Sequence, residues 1–200
     1  MKDRRQAIVT AGMAVLREYG FAGFTQPRVA SQAGVRQSHL TYYFPTRVDL
    51  LAAVAKAAIE NQLGAVDAVF SGSSPQSAAA AIAGVAVRHE NTRVMMALAQ
   101  AADQEPQLRQ LFRELADGII LRAGTLLETL GIKPSDENRY LVHALSVGIA
   151  VIDLAIARPD GKRRAATVLD TAFKLLRAPG ADPKTNHVQK LEPRKRGSRS

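Results

Sequence analysis

The residues from Phe24 to Arg47, FTQPRVASQAGVRQSHLTYYFPTR, constrain the fold of this chain more than any other segment. They contain two short helical patterns separated by Ala-Gly-Val, in which Gly34 supplies a tight turn. Two helices joined in this way form a helix-turn-helix, whose second helix lies in the major groove of DNA. The segment therefore predicts that the N-terminal part of the chain recognises double-stranded DNA.

Apolar residues recur at helical spacing along most of the chain, and no segment alternates as a strand would. A first helix is predicted over 3–20, a second is capped by Thr25, and a third runs from Arg36 or Gln37 to Phe44. The buried stripe of the first helix is predicted to contain Ile8, Ala11, Val15, Leu16 and Tyr19. Further helices are predicted over 46–70, 76–88, 92–102, 106–130, 136–157 and 162–176, with a loop at 71–75. Nine helices predict an all-α fold.

The net charge of +9 is concentrated at the two ends of the chain. Residues 1–47 contain seven Lys or Arg and two Asp or Glu, and residues 177–200 contain the same numbers. Such an excess suits phosphate binding, because neutralised phosphates release condensed counterions. From about Arg177 the helical pattern fails, so a disordered basic tail is predicted. This tail either adds loose affinity for DNA or is simply a solvated end.

Several classes of function find no support in the sequence. The chain contains no cysteine, which excludes disulfides and thiolate chemistry. His89-Glu90 begins like the HExxH motif of zinc proteases, but Arg93 stands where the second histidine would be. We therefore expect no catalysis, no cofactor and no metal. The longest apolar run, Ala144 to Ile152, is too short for a membrane span and no signal peptide is visible, so we expect a cytoplasmic protein without a membrane partner.

The N-terminal residues resemble the TetR family of transcriptional regulators. The motifs that carry the resemblance are Gly20-Phe21, the capping Thr25, Ala33-Gly34-Val35, Leu40, Tyr42-Tyr43-Phe44 and Arg47. The resemblance covers about residues 4–55. It implies a helix-turn-helix DNA-binding domain over 1–46, a helical ligand-binding and dimerisation domain over 47–176, and the basic tail over 177–200.

The same resemblance implies a homodimeric repressor that a small-molecule effector releases from a palindromic operator. The helices over 136–157 and 162–176 would pair with a second copy, and a buried central helix within a monomer is the alternative. A different function that uses the basic charge is a sequence-indifferent architectural DNA-binding protein. Competition with unrelated DNA distinguishes the two functions, since only the regulator keeps a large specificity ratio.

The candidate DNA contacts lie in and around the third helix. Residues in its first turn can reach base edges, where a good bidentate pair is worth ~1–3 kcal/mol. Cations and tyrosines nearby are expected to contact phosphates, with core packing as the alternative for Tyr43. Two departures from the family pattern are Arg36, where a capping Ser or Thr is usual, and Thr41, where Tyr is usual. The predicted contacts are Arg28, Arg36, Gln37, Ser38, His39, Thr41, Tyr42, Tyr43 and Arg47.

The effector pocket implied by the resemblance would lie among the later helices. Arg122 falls on an apolar stripe of the 106–130 helix, and His143 and Asp153 interrupt the apolar 136–157 helix. Either Arg122 pairs with Asp153 or reaches water, or Arg122 or His143 meets a polar or anionic ligand. The candidate effector-binding residues are Met95, Met96, Phe112, Arg122, His143 and Asp153.

Overall fold

A computed structural model describes residues 2–72 and 77–177 of the chain. The predictions for the tail beyond 177 and for most of the 71–75 loop lie outside these residues. The helices are α1 (Lys2–Tyr19), α2 (Gln26–Gln32), α3 (Gln37–Tyr43), α4 (Arg47–Gly72), α5 (Ala78–Ala86), α6 (His89–Gln104), α7 (Pro106–Thr129), α8 (Asp136–Ile156) and α9 (Gly161–Arg177). Within the described ranges, these nine helices are the only regular structure, which confirms the predicted all-α fold.

Helices α1 to α3 form a compact head with one apolar core. Phe24, Leu40 and Phe44 are almost completely buried there. Gly34 has φ +64°, the left-handed conformation that a tight helix-turn-helix connection needs and that glycine adopts most easily. The prediction that Tyr19 belongs to the buried stripe of α1 is wrong, because its side chain is 46% exposed and is covered on one face by the Arg28 guanidinium.

The head is not separated from the rest of the molecule by a gap in packing. Its core continues through Leu50, Leu51 and Val54 of α4 into Leu98 of α6 and Leu108 of α7. A second apolar cluster joins α5, α7, α8 and α9 at the other end of the body, around Leu127 and other buried residues. Most buried apolar side chains of the described residues thus belong to two clusters, and α7 contributes to both.

Helix α8 is long and apolar enough, by length and composition alone, to cross a membrane. The sequence prediction considered only the shorter run from Ala144 to Ile152, and the complete helix passes the test that this run fails. Val142 is the fully buried residue of α8, whereas Tyr140, Ile152 and Ile156 are more than half exposed. One apolar face of α8 is therefore uncovered in the single chain.

The crossing of α1 and α4 depends on Gly12. A Cβ atom at this position would lie 2.5 Å from Cγ2 of Val54, which is fully buried. We predict that Gly12→Ala lowers the free energy of unfolding by about 1–3 kcal/mol, the usual cost of overpacking. Gly64→Ala on α4 is the matched control, since its Cβ meets nothing within 4 Å. It should stabilise the helix by up to about 1 kcal/mol. Urea unfolding of both variants measures the difference, and equal effects would contradict the packing argument.

Candidate DNA-binding surface and ligand cavity

The third helix presents its first turn to solvent. Leu40 is fully buried and fixes the inward face of α3, so Gln37, Ser38 and His39 are all exposed on the other side. Tyr42 extends the same surface and is 72% exposed. The structure thus leaves the polar side chains predicted to read base edges available to a partner.

The start of α3 has no side-chain cap. Arg36 occupies the cap position in an extended conformation and makes no capping hydrogen bond. Its side chain is exposed, which keeps the guanidinium available to a phosphate. Thr41 has less to offer a ligand, because its hydroxyl donates within the helix to the carbonyl oxygens of Gln37 and Ser38 at 3.1 and 3.2 Å.

The two adjacent tyrosines have different environments. Tyr43 is partly buried against the head core, as the core-packing alternative predicts. Its ring meets that of Tyr42 edge to face, with centroids 5.3 Å apart. This contact holds the exposed Tyr42 ring beside the first-turn residues of α3, where its hydroxyl can donate to a phosphate.

Arg47 is turned into the head, against the loop between α1 and α2. Its guanidinium lies over the Phe21 ring at 4.6 Å and donates to the carbonyl oxygens of Phe24 at 2.9 Å and Phe21 at 3.3 Å. These contacts satisfy backbone acceptors of the loop between α1 and α2. The geometry therefore favours a fastening role for Arg47 and does not support the predicted phosphate contact.

Arg28 is held in a similar way but remains exposed. Its guanidinium donates to the carbonyl oxygen of Gly23 at 2.6 Å and lies 4.4 Å from the Tyr19 ring centroid.

At the start of α4, Thr46 and Asp49 form a reciprocal cap, in which the Asp49 carboxylate accepts from the Thr46 amide at 3.0 Å. One backbone amide at the start of α4 therefore already has a partner within the chain.

Arg5 is a candidate that the sequence analysis missed. Its exposed side chain lies over the Phe44 ring, with the guanidinium carbon 5.0 Å from the centroid. Because Phe44 ends α3, this contact places a cation beside the C-terminal end of that helix. The sequence shows only a charge in α1, and nothing in it indicates which later residue that charge packs against.

A cavity of about 460 Å³ lies in the body, between the two apolar clusters. Residues from all five helices α4 to α8 line it. Met96 and Val147 both line the cavity and are nearly half exposed, so the same side chains also reach solvent. Its volume is within the range of about 300–1,000 Å³ that is usual for small-molecule sites.

Four of the six predicted effector-binding residues line this cavity: Met95, Met96, Phe112 and His143. Arg122 and Asp153 do not. The Arg122 guanidinium binds both carboxylate oxygens of Asp67, at 2.6 and 2.9 Å. The Asp153 carboxylate pairs with the His89 ring at 2.7 Å. The Arg122–Asp153 pair considered from the sequence is therefore not formed, because each residue has a different partner.

His143 is half-buried beside apolar side chains, and this burial lowers its pKa. The ring is therefore neutral at pH 7 and can both donate and accept a hydrogen bond. Gln62 and Asn91 also line the cavity, although the sequence analysis did not single them out. The only signal that could have found them is a polar residue interrupting an apolar helix face, which is common in helices without function.

The pKa of Asp67 is lowered mainly by its hydrogen bonds from Arg122. The Arg122 guanidinium also donates to the carbonyl oxygen of Gly118 at 3.0 Å, so the pair is fixed to the backbone of α7.

Within residues 2–72 and 77–177, no three His, Asp or Glu side chains are grouped so as to hold a metal ion.

Helices α2 and α3 of the head form a helix-turn-helix with an exposed second helix, and the helical body joined to it contains a cavity. Residues 8–54 match the family model described as bacterial regulatory proteins, tetR family. A sequence comparison with curated proteins gives no match. The structural comparisons extend the likeness beyond the matched segment.

A solved structure of a TetR-family member from Streptomyces coelicolor A3 is 28% identical, with a TM-score of 0.68 over 84% of this chain and 97% of that one. A transcriptional regulator from Rhodococcus sp. Rha1 is 21% identical and shares the fold, with a TM-score of 0.76 over 86% and 95% of the two chains. The multidrug binding protein EbrR, complexed with imidazole, is 27% identical, with a TM-score of 0.64 over 84% and 94%. Residues 8–54 thus resemble the DNA-binding domain of the TetR family, and the whole fold is similar to that of solved TetR-family regulators.

Arg47 bonds to backbone carbonyls and Arg36 does not, so alanine should lower the stability of the protein at the first position and leave it nearly unchanged at the second. Arg47→Ala removes two charged hydrogen bonds to backbone carbonyls and should cost about 1–3 kcal/mol of stability. Arg36→Ala removes an exposed side chain without a structural partner and should change stability by less than about 0.5 kcal/mol. Thermal unfolding of both variants tests this. A Tm for Arg47→Ala equal to that of the unchanged protein would show that the fastening contacts are not formed.

Burial of His143 predicts a loss of stability in acid. Since its pKa in the folded protein is below the ordinary value of 6.5, the unfolded chain takes up its proton first as the pH falls. This titration therefore leaves the free energy of unfolding unchanged above about pH 6.5 and lowers it progressively as the pH falls below that value. We predict that His143→Gln shows a shallower decline in urea midpoint between about pH 8 and about pH 5. A steeper decline in the variant would contradict this assignment.

Proposed function

We propose that the protein is a homodimeric repressor that leaves a palindromic operator when a small molecule binds in the cavity. The observation that carries the proposal is the path of α4. Its N-terminal residues Leu50, Leu51 and Val54 are fully buried with the head core, and its later residues Gln62 and Val66 line the cavity. A ligand that displaces the distal part of α4 would therefore move the head.

Helix α6 provides a second connection between the cavity and the head. Glu90 in its first turn pairs with Arg17 of α1 at 3.2 Å, and His89 beside it pairs with Asp153 of α8. Asn91 and Thr92, which follow directly, line the cavity. The exposed Arg17–Glu90 pair contributes little stability by itself. The pair supports the proposal through its position, because α1, α8 and the wall of the cavity all meet at the first turn of α6.

The uncovered apolar side chains of α8 and α9 support a homodimer. Ile152 is 60% exposed, and Leu175 on α9 is 68% exposed. Large apolar side chains exposed on two helices that pack together are consistent with an interaction site. Pairing through these helices would relate two heads by a two-fold axis, and successive major grooves require a separation of about 34–36 Å. A palindromic operator would match that symmetry.

The effector role draws support from one relative. EbrR is described as a multidrug binding protein and has been solved with imidazole and with proflavin. Effector binding need favour the released state by only ~1–3 kcal/mol to regulate the operator. Selection of bound sequences from random DNA, followed by competition with unrelated duplexes, tests the proposed function. Failure to enrich any sequence would favour the architectural DNA-binding alternative.

Two substitutions separate base reading from phosphate binding. Gln37→Ala should weaken the selected operator by about 1–3 kcal/mol and leave nonspecific affinity unchanged, because it removes a base contact. Arg36→Ala should weaken all duplexes to a similar extent and reduce the slope of log K against log salt by about 1. Fluorescence anisotropy across a salt series measures both. A uniform loss with Gln37→Ala would show that this residue does not read sequence.

A charge on the uncovered face of α8 should prevent dimerisation. Ile152→Glu would bury a carboxylate without a partner in the proposed interface, so we predict monomers at concentrations where the unchanged protein sediments as a dimer. Leu121→Glu on α7 is the matched control, since Leu121 is 68% exposed and lies outside α8 and α9. Sedimentation velocity distinguishes the outcomes. A dimeric Ile152→Glu protein would exclude this face as the interface.

A further inference from the structure

Among the described residues that line the cavity, none has a charged side chain. The charge that the sequence suggested for it, Arg122, donates three hydrogen bonds, two to Asp67 and one to the Gly118 carbonyl. The carboxylate of Asp153 is held by His89 at 2.7 Å and is also outside the lining. A ligand in the cavity would therefore find no counter-ion for either sign of charge.

The polar groups of the lining are neutral, and some are already used. The Ser146 hydroxyl donates to the Val142 carbonyl oxygen at 2.8 Å, and that of Thr92 donates to the Arg88 carbonyl oxygen at 3.3 Å. Their protons are thus committed to the helices that carry them. The remaining lining is apolar, with Phe112 and Val66 among its members, apart from three further neutral polar side chains.

These three side chains are Gln62, Asn91 and His143. In the described part of the chain, none of them makes a side-chain hydrogen bond to another residue. Each can donate and accept without carrying a charge, and His143 does so because its environment keeps the ring neutral. They come from α4, α6 and α8, so a ligand that bonds to them would connect these helices.

From this arrangement we infer that the cavity selects uncharged, mainly apolar molecules with a hydroxyl, carbonyl or amide group, and that it rejects ions of either sign. An ion in an apolar site without a partner loses its hydration and gains nothing that replaces it. A neutral hydroxyl loses far less and regains a hydrogen bond at one of the three polar side chains. This inference rests on the proposed function and specifies the ligand class of the same site.

Three probes of one length test the selectivity: 1-octanol, octanoate and octylammonium at pH 7. We expect calorimetry on the full chain to show that octanol binds at least tenfold more tightly than either ion. Tighter or equal binding of octanoate, with loss of that binding in Arg122→Gln, would show that Arg122 serves the ligand and would overturn the inference. Tighter or equal binding of octylammonium, or no octanol binding up to its solubility, would also overturn it.

Variants of the lining test which groups are used. His143→Leu keeps a side chain of moderate size but removes its hydrogen-bonding nitrogens, so octanol should bind about 2- to 12-fold more weakly. Gln107→Leu removes an exposed amide of α7 outside the lining and should leave octanol affinity unchanged. Gln62→Glu adds a carboxylate by nearly isosteric replacement and should shift the preference toward octylammonium. If neither His143→Leu nor Gln62→Glu alters the affinity of any of the three probes, the probes bind elsewhere and the inference is wrong.

Operator binding measured with the same probes separates this inference from the proposed function. If octanol binds preferentially but operator affinity stays constant, the ligand class is correct and the effector role is wrong. If octanoate or octylammonium binds more tightly than octanol and releases the operator, the effector role is correct and the ligand class is wrong.

Discussion

Helix α4 lies in two different environments along its length, a close-packed core and the wall of a cavity. The connection between the head and the body depends on this difference. Near its start, Leu50, Leu51 and Val54 are completely buried in a core shared with the head. Farther along, Val66 and Val69 face a cavity instead of packed side chains. Because interiors are close-packed and deform little, a displacement at the cavity end is transmitted along the helix to the buried end. The head cannot remain in place unless this shared core rearranges.

Two of the cations in the head have a structural role. Arg28 and Arg47 donate to backbone carbonyl oxygens in the segment between α1 and α2, and each also lies on an aromatic ring. Carbonyls in such a loop lack the partners that a helix provides, so a guanidinium with several donors suits them well. A basic N-terminal region therefore does not translate directly into a count of phosphate contacts. Arg36 and Arg5 remain exposed beside the reading helix.

The exposure pattern of α3 could be predicted from the sequence because it depends on local spacing. Leu40 and Phe44 are four residues apart and face inward together, which leaves Gln37, Ser38 and His39 outside. Helix number and order were equally accessible, since turns and apolar periodicity are local. Tyr19 was misplaced because a stripe position at a helix end can remain uncovered.

The partners of the body residues could not be predicted in this way. Arg122 and Asp67 are 55 residues apart, and they meet only because α7 crosses α4 at that level. Asp153 and His89 are 64 residues apart and lie on α8 and α6. Apolar periodicity shows that such charges interrupt apolar helix faces, but it does not show which helices cross one another. The cavity's neutral lining is thus a property of the tertiary structure.

Val147 and Val151 belong at once to the wall of the cavity and to the exposed apolar face of α8. Under the proposed pairing, side chains at these two positions are shaped by both the small molecule and the second copy. Substitutions that enlarge the pocket at these two positions would also change the surface that the second copy contacts. Paralogues that diverge in ligand would therefore tend to stop exchanging subunits, so that a genome could hold several such regulators without mixed assemblies.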